Sequence, residues 1–471
     1  MPIADRYDVV VVGGGLAGLA AANSAAQLGL RVVVLEAGSD ERYLCNSRYT
    51  LGFLHVALNA TTSAAEQLRK AVETATDGDV RPDLVNAFAG NVGRAVAWLG
   101  ELGVRYIKGG PLPWMNRLLA PPALRRPGLH WEGRAGDVML RKLGQRLKDA
   151  GGELKLGTRA RQLAMDNGRC VGVEAVSNGQ TVRFSAGAVV LADGGFQANA
   201  DYVRKYISPR PEKLCIRNAA TGVGDGLTMA EAVGARLSGL NRFYGHIQCY
   251  EALSNDKLWP YPILDLLATA AIVVDRHGKR FADEGLGGVY MTNAIAALDE
   301  PDTAVVIFDD AIWNGTGREY ILPPNPNAVE AGATLISHPD LGSLAQALGL
   351  PATELQASVD AYNDFVQNCA AIAPPRSNRA AKPQPIVKPP FHALRVCAGI
   401  TYTMGGVAID GGARVLDLSD RPIPGLYAAG STTGGLEGGG PAGYAGGLSK
   451  ALTLGLLAGE SAAKEIDALK S

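Results

Sequence analysis

The pattern of apolar positions at the amino terminus predicts a β-α-β unit. Residues 7–12 read YDVVVV, and an uninterrupted β-branched run of this kind is typical of a strand buried in a parallel sheet. The alanine-rich stretch from Leu19 to Leu28 predicts a helix that Gly29 ends, and residues 31–35 (RVVVL) predict the next strand. The chain therefore begins as an α/β protein with parallel strands.

The turn between this first strand and its helix fits the pattern G-x-G-x-x-G at Gly13, Gly15 and Gly18. In this pattern the first glycine allows a tight turn, the second lets the backbone approach a pyrophosphate, and the third lets helix pack on strand. Glu36 ends the second strand, 21 residues after Gly15, where a carboxylate can bond a ribose hydroxyl. The unit predicts a dinucleotide site, and it fits FAD and NAD equally well.

Two later strands and a terminal helix complete the α/β pattern. Residues 182–196 (VRFSAGAVVLADGGF) predict a strand that ends in a glycine pair, and residues 424–430 (PGLYAAG) predict another. A second G-x-G-x-x-G, at residues 438–443, precedes an alanine- and leucine-rich helix from Leu448 to Ala468. No further strand with an acidic end follows it. We interpret this loop as one that points a helix N-terminus at a ligand, not as a second nucleotide site.

Composition limits the classes of function. The 471 residues predict two to three domains, at roughly 150 residues each, and the formal net charge of -1 gives no reason to expect nucleic acid as a partner. The six cysteines show no CxxC, CxxCH or zinc spacing, so we expect no haem, iron–sulfur cluster or metal site. Without a signal-like start or a long apolar run, the expected location is cytoplasmic, with no membrane insertion.

Several segments resemble the flavoprotein family of fumarate reductase and succinate dehydrogenase. They are spread over most of the chain: the N-terminal unit, residues 221–227 (TGVGDGL), 275–284 (DRHGKRFADE), and 402–410 (YTMGGVAID) running into 425–430. Within the family, the tricarballylate dehydrogenase branch looks most similar. That likeness rests on residues 46–48 (NSR), 244–246 (YGH), 388–391 (KPPF) and 397–403 (CAGITYT).

The resemblance implies an α/β fold with a two-part, Rossmann-like FAD-binding domain of the glutathione reductase type. Its parts would be residues 1–240 and 400–471, and residues 241–399 would form an inserted α+β capping domain. Asn46 stands where succinate dehydrogenases attach FAD to a histidine, so the implied FAD is non-covalent. The candidate cofactor-binding residues are Gly13, Gly15, Leu16, Ala17, Gly18, Glu36, Ala37, Asn46, Ser47, Asp193, Gly194, Asp225, Gly430 and Ser431.

The same resemblance implies hydride transfer between flavin N5 and a carbon, with proton transfer at the adjacent carbon. Arg280 matches the arginine of G-x-R-F-x-x-E that serves as proton donor, a role that requires a buried relay to a carboxylate such as Glu284 or Asp283. An ion pair within the cap is its structural alternative.

His246 matches a substrate-binding histidine, with a satisfied structural histidine as the alternative, and Tyr402 replaces a second one. Tyr444 offers a hydroxyl in a Y-x-G-G sequence, or packs under the helix. Arg48 would reach a substrate carboxylate or stay solvated.

Three functions remain open at this point. The first is an FAD-dependent dehydrogenase or reductase acting on a C–C or C=C bond beside a carboxylate or carbonyl, as in tricarballylate dehydrogenase. Residues 434–447 contain no arginine to clamp a carboxylate, which argues against fumarate or succinate. The second is a ketosteroid-type or other enone enzyme that uses tyrosines. The third is a flavin subunit that passes electrons to a separate protein or a diffusible acceptor.

Overall fold

The computed structural model describes residues 6–319, 323–377, 379 and 382–470. The strands are β1 (Tyr7–Val12), β2 (Val32–Leu35), β3 (His55–Val56), β4 (Asn59–Ala60), β5 (Tyr106–Ile107), β6 (Leu118–Leu119), β7 (Glu153–Lys155), β8 (Thr158–Asp166), β9 (Arg169–Ser177), β10 (Gln180–Leu191), β11 (Cys215–Ile216), β12 (Leu237–Ser238), β13 (Phe243–Cys249), β14 (Ile272–Val274), β15 (Val305–Asp309), β16 (Ile336–His338), β17 (Phe391–Thr403), β18 (Gly406–Ala408), β19 (Arg414–Leu416), β20 (Pro422–Ala428) and β21 (Thr433–Gly434). The α-helices are α1 (Leu16–Gln27), α2 (Asn46–Tyr49), α3 (Ala65–Ala75), α4 (Pro82–Glu101), α5 (Ala135–Asp149), α6 (Ala200–Tyr206), α7 (Asp225–Ala232), α8 (Asp265–Ala270), α9 (Gly288–Ala296), α10 (Asp310–Asn314), α11 (Pro326–Glu330), α12 (Leu341–Leu348), α13 (Ala352–Asn368) and α14 (Gly447–Lys470).

The larger sheet contains the predicted β-α-β unit. Its strands run in the order β19-β20-β10-β1-β2-β7, and β8 and β9 extend from β10. β1 pairs in parallel with β2 and β10, and β10 pairs in parallel with β20, so the carboxyl ends of these strands share one edge. The helix begins at Leu16 instead of Leu19, because Gly15 already acts as its extended N-cap. Ligands of parallel α/β sheets bind at this edge.

The second sheet is built around the long strand β17. β11, β13, β15 and β16 all pair with β17, and β14 pairs with β15. The antiparallel register of β13 and β17 places Tyr244 opposite Tyr402. Buried apolar side chains form two clusters, one around each sheet. The overall architecture is a mixed α/β fold.

Helix α14 lies against α1 through small residues. A Cβ added at Gly455 would come within 2.3 Å of the Ala17 carbonyl oxygen, and one at Gly459 within 2.5 Å of that of Ala21. Four residues farther along α14 corresponds to four residues farther along α1, so the two helices are parallel. Both helix N-termini therefore point toward the carboxyl edge of the larger sheet, where free N–H groups favour anionic groups.

Within the described ranges, no helix is both long and apolar enough to cross a membrane.

Candidate functional site

The glycine loop after β1 leaves no room for side chains. Gly13 has φ +100°, and a Cβ there would lie 2.6 Å from the Ala192 carbonyl oxygen. A Cβ at Gly18 would lie 1.9 Å from the Gly13 carbonyl oxygen. The Leu16 amide donates to Ser47 Oγ at 3.0 Å, which brings the α2 segment onto the start of α1, where Ala17 also lies. These contacts form the close-fitting cradle that a pyrophosphate requires.

Glu36 lies beside this cradle, at the end of β2. Its carboxylate accepts hydrogen bonds from the amides of Gly14 at 2.8 Å and Gly38 at 2.7 Å. Burial raises the pKa of Glu36, and the backbone donors oppose that shift. Ala37, the next residue, is exposed. The structure thus holds the predicted ribose-binding carboxylate next to the glycine loop.

The loops after β10 and β20 meet the same helix N-terminus. Asp193 accepts from the Gly226 amide at 2.7 Å, and Gly194 donates to Thr432 Oγ1 at 3.0 Å. Burial raises the pKa of Asp193 to about 6. Gly430 has φ +70°, and a Cβ there would approach Ala17 Cβ to 2.8 Å. The predicted cofactor residues of three strands are therefore neighbours.

Asp225 differs from the other predicted cofactor residues, because it begins α7 in an ion pair. Arg159 donates to its two carboxylate oxygens at 2.6 and 2.9 Å.

A cavity of about 1150 Å³ extends between the two sheets. Asn46, Ser47 and Ser431 border it on the side of the larger sheet, and Tyr244 and Tyr402 border it on the side of the second sheet. Ligand sites are commonly concave and lie between structural units of this kind. A glycine cradle at two helix N-termini, next to a cavity of this size, fits FAD together with a small substrate.

Three tyrosines form one wall of this cavity. The rings of Tyr244 and Tyr444 stack with centroids 4.0 Å apart, and Tyr402 lies 5.3 Å from Tyr244. Burial raises the pKa of all three phenols, so each hydroxyl is protonated at neutral pH. The sequence pointed to Tyr402 and Tyr444 but not to Tyr244 as a catalytic residue. Tyr244 joins them because its strand pairs with that of Tyr402.

Tyr402 contacts a buried ion pair. Its hydroxyl donates to Glu437, at 3.0 and 3.1 Å from the two carboxylate oxygens. Lys450 Nζ lies 3.2 Å from Glu437 Oε2 and donates to the Thr433 carbonyl at 3.1 Å. Glu437 and Lys450 are both almost completely buried. A buried ion pair beside a phenol can receive or return the phenolic proton.

His246 links Tyr244 to a second carboxylate. Its Nδ1 lies 2.7 Å from Asp265 Oδ2, and its Nε2 lies 2.8 Å from the Tyr244 hydroxyl. Burial lowers the pKa of His246, and Asp265 opposes that shift, so we assign the neutral ring. Its Nδ1–H then donates to Asp265, and Nε2 accepts from Tyr244. His246 borders the cavity, but both of its nitrogens are already bonded, which favours a structural role. Its contact with substrate stays a prediction.

Tyr444 has a different hydrogen-bond pattern. Its hydroxyl oxygen accepts from the Gly447 amide at 3.1 Å. This amide belongs to the first residue of α14. The Tyr244 side chain is a second hydrogen-bond partner of this hydroxyl, which lies at the cavity wall.

Arg280 does not line the cavity formed by the described residues. Its Nε donates to Glu284 Oε1 at 3.0 Å, and its Nη1 donates to the Pro374 carbonyl at 2.9 Å. Glu284 is fully buried. The pair with Glu284 is common to both interpretations, the carboxylate relay and the structural ion pair, and the position of Arg280 outside the cavity lining favours the structural one. Its role as proton donor stays a prediction.

The NSR segment also differs from expectation in one residue. Asn46 borders the cavity, donates to the Thr401 carbonyl at 2.8 Å and accepts from the Ala219 amide at 3.0 Å. Arg48 is only 1% exposed and bonds Asp137 and the Tyr43 carbonyl. Both interpretations of Arg48, as a substrate contact and as a solvated side chain, are wrong, because a buried carboxylate holds it inside the protein.

Sequence reasoning missed four further residues of the site: Arg217, Asp265, Glu437 and Lys450. No spacing pattern connects them to the tyrosines, since the contacts depend on how β11, α8 and α14 pack around β17. One signal in the sequence could have indicated these residues. It is a charged residue inside an apolar stretch, such as Lys450 in α14.

His55 gives the site a pH dependence of stability. It packs edge-on against Tyr444 and Trp114, and burial lowers its pKa from 6.5 to about 4. As the pH falls, His55 is therefore protonated in the unfolded state before it is protonated in the folded state. Its contribution to the free energy of unfolding is fully present above pH 6.5 and declines toward pH 4. Between pH 6.5 and pH 4 we expect the free energy of unfolding of the wild type to fall by about 3 kcal/mol more than that of His55→Phe. Urea unfolding at several pH values measures the difference, and parallel curves for the two proteins would contradict it.

Known proteins match this chain along most of its length. A model of the family described as FAD binding domain matches residues 8–446. NADH:fumarate oxidoreductase from Klebsiella pneumoniae is 29% identical over 97% of this chain, and the chain spans only 48% of that protein. The 4-oxocyclohexanecarboxylate 2-dehydrogenase from Sinomonas cyclohexanicum is 30% identical over 97% of this chain and 93% of that protein.

A solved structure shows the same fold. The 3-ketosteroid Δ1-dehydrogenase from Sterolibacterium denitrificans superimposes with a TM-score of 0.74 at 22% identity, over 98% of this chain and 100% of that one. With the cofactor cradle and the cavity described above, these findings define the class as FAD-dependent oxidoreductases. The chain belongs to the FAD-binding domain family, and its relatives include fumarate reductases.

Proposed function

We propose that this protein transfers hydride to or from a carbon of a C–C or C=C bond adjacent to a carbonyl group. The observation that carries the proposal is the tyrosine wall, in which Tyr402 donates to buried Glu437 and the protonated Tyr444 hydroxyl lines the same cavity. FAD, when bound, supplies the acceptor or donor of the hydride. The protein's own residues then have to hold the carbonyl and move one proton.

Tyr444 and Tyr402 have separate roles in this proposal. Tyr444 donates a hydrogen bond to the carbonyl oxygen, which stabilises negative charge that develops there. In the oxidative direction Tyr402 takes a proton from the carbon next to the carbonyl and passes its own hydrogen to Glu437. In the reductive direction the same groups return it. Tyr244, held by His246 and Asp265, fixes the ring of Tyr444 by stacking.

A division into an FAD-binding domain and a cap would enclose the site between the two domains. We propose that residues 1–240 and 400–471 form the FAD-binding domain in two parts and that residues 241–399 form the cap. Two apolar clusters with a cavity between their sheets support a division of this kind. The second cluster also contains Cys215 and Ile400, so it extends beyond residues 241 and 399 on both sides. A cap excludes water from the reacting carbons.

We also propose that FAD is bound without a covalent bond. The residue at the predicted attachment position is Asn46, and both ends of its amide are occupied by backbone groups. The cofactor-binding set predicted from the sequence is retained. Within it, the contacts of Gly13, Gly18 and Glu36 give the strongest support.

A carbonyl compound is better supported than a tricarballylate-like substrate. Three carboxylates would require several cations, and the basic residues lining the described cavity are Lys70, Arg217 and Arg379. Arg379 is paired with Asp77 at 2.7 Å, and Lys70 lies on an exposed face of α3. Two similar proteins are, by name, a ketone carboxylate dehydrogenase and a ketosteroid dehydrogenase.

We further propose a cytoplasmic enzyme that passes electrons to or from a separate protein or diffusible acceptor. Relatives named as cytochrome fumarate reductases and quinol fumarate reductases support the use of such partners in this family.

The test is anaerobic titration of the purified flavoprotein with substrate candidates. We expect saturated cyclic ketones to bleach the visible flavin absorbance, or enones to reoxidise chemically reduced flavin. Tricarballylate, succinate and fumarate serve as the matched carboxylate set. Flavin that responds to the carboxylates and to no ketone or enone would overturn the proposal. Acid precipitation should release free FAD into the supernatant, and flavin retained in the pellet would contradict non-covalent binding.

A further inference from the structure

We propose that Arg217 is an anion-binding subsite and that the substrate is a keto acid, a molecule with a carboxylate as well as the reacting carbonyl. This inference rests on the proposed function, because it adds a second anchor to the same substrate. Arg217 directly follows β11, borders the cavity and is 6% exposed.

The protein holds the Arg217 guanidinium rigidly and uses only part of it. Nε donates to the Pro260 carbonyl at 3.0 Å, and Nη1 donates to Thr401 Oγ1 at 2.8 Å. The group lies over the Tyr261 ring, 5.1 Å from its centroid. Within the described part of the chain, Nη2 donates no hydrogen bond to protein. A fixed guanidinium with an unused donor beside a cavity is arranged to receive an oxygen ligand.

The charge of Arg217 also lacks a direct counter-ion. Among residues 6–319, 323–377, 379 and 382–470, no carboxylate lies within 4.0 Å of its guanidinium nitrogens. Asp265, a carboxylate that lines the same cavity, is bound by His246 and by the Ile247 amide. Burying an unpaired charge is costly, so buried arginines are nearly always paired. A substrate carboxylate would complete the pair.

The strand spacing gives the scale of the separation between Arg217 and Tyr244, on whose ring the carbonyl anchor Tyr444 stacks at 4.0 Å. The Arg217 amide donates to the Ile400 carbonyl, which places Arg217 on one side of β17, and β13 with Tyr244 lies on the other side. Neighbouring strands are ~4.8 Å apart, so the two flanking backbones are roughly 10 Å apart. Side chains that converge on the cavity from these positions can hold the two ends of a ring-sized molecule.

The experiment compares a charged and a neutral probe on the holoenzyme. Dissociation constants of 4-oxocyclohexanecarboxylate and its methyl ester are measured anaerobically, from perturbation of the flavin spectrum or from tryptophan fluorescence. Wild type is expected to bind the acid at least tenfold more tightly than the ester. Arg217→Gln should weaken binding of the acid at least tenfold and change binding of the ester by no more than about twofold. The affinity of Arg217→Lys for the acid should lie between those of wild type and Arg217→Gln. Arg379→Gln, which removes a cavity arginine already paired with Asp77, should change neither.

Three results would overturn the inference. One is equal affinity of wild type for acid and ester, which is decisive even if the glutamine variant does not fold. Another is equal weakening of both probes in Arg217→Gln, which indicates a structural role. The third is loss of FAD in both Arg217 variants, which assigns the guanidinium to the cofactor. Failure of the proposed function would give a different result: the acid binds selectively, yet no ketone reduces the flavin and no enone reoxidises the reduced flavin.

Discussion

Tyr402→Phe is expected to lower the rate of substrate-dependent flavin reduction by about 10²–10⁴-fold while FAD content stays unchanged. The substitution removes only the hydroxyl that lies between the cavity and Glu437. General acid–base groups typically contribute this range of rate. The buried ring keeps its contact with Tyr244, so binding of a ketone should weaken far less than turnover. Anaerobic stopped-flow measurement of flavin absorbance gives the rate and the affinity separately.

Tyr202→Phe is the matched control for this experiment. Tyr202 bonds Thr228 on the outer part of the fold and does not line the described cavity. Its loss should leave flavin reduction within about twofold of wild type. A Tyr402→Phe protein that reduces its flavin at nearly the wild-type rate would show that the proton takes another path, with Tyr244 as the next residue to change.

Lys450→Met is expected to lower the free energy of unfolding by about 3–5 kcal/mol. Lys450 and Glu437 are 1% and 2% exposed, and removal of the cation leaves the carboxylate buried without its counter-ion. Adding Glu437→Gln removes the stranded charge and keeps groups that can bond Tyr402 and the Ala445 amide. The double variant should therefore recover at least half of the lost stability. Urea denaturation of the three proteins at one FAD concentration measures these differences.

An exposed pair that includes α14 provides the comparison. Arg94 bonds Glu460 at 2.7 Å, with 45% and 28% of their side chains exposed, and Arg94→Met should cost less than about 1 kcal/mol. If Lys450→Met costs no more than Arg94→Met, Glu437 must be neutral in the folded protein. It could then not accept the Tyr402 proton as proposed.

The cofactor half of the site was largely predictable from sequence because its contacts are local. The loop from Gly13 to Gly18 connects β1 directly to α1, and Glu36 ends the adjacent parallel strand. Glycine spacing and a β-branched run therefore determine both the fold of this unit and the chemistry that it binds. The boundaries of α14 were also close to prediction, since its apolar pattern is continuous.

The substrate half was predicted only in part, and the example of Arg280 shows why. Its motif indicated a proton donor with a relay to a carboxylate, and the structure shows the pair with Glu284 but does not place Arg280 in the lining of the described cavity. Whether an arginine faces a cavity or an ion pair depends on the packing of neighbouring strands. Sequence also showed that residues 434–447 lack an arginine, yet it gave no sign that Arg217 reaches the cavity from β11.

The sequence by itself determined the dinucleotide unit, the family and the candidate tyrosines, because these depend on short spacings and on residue type. Only the tertiary structure decided which polar groups meet. Tyr402 contacts Glu437 and Lys450 because α14 is held against α1 by glycines, and Tyr244 joins them through the register of β13 and β17. Such contacts join residues far apart in the chain, and the free energy of burying them depends on partners that no local pattern specifies.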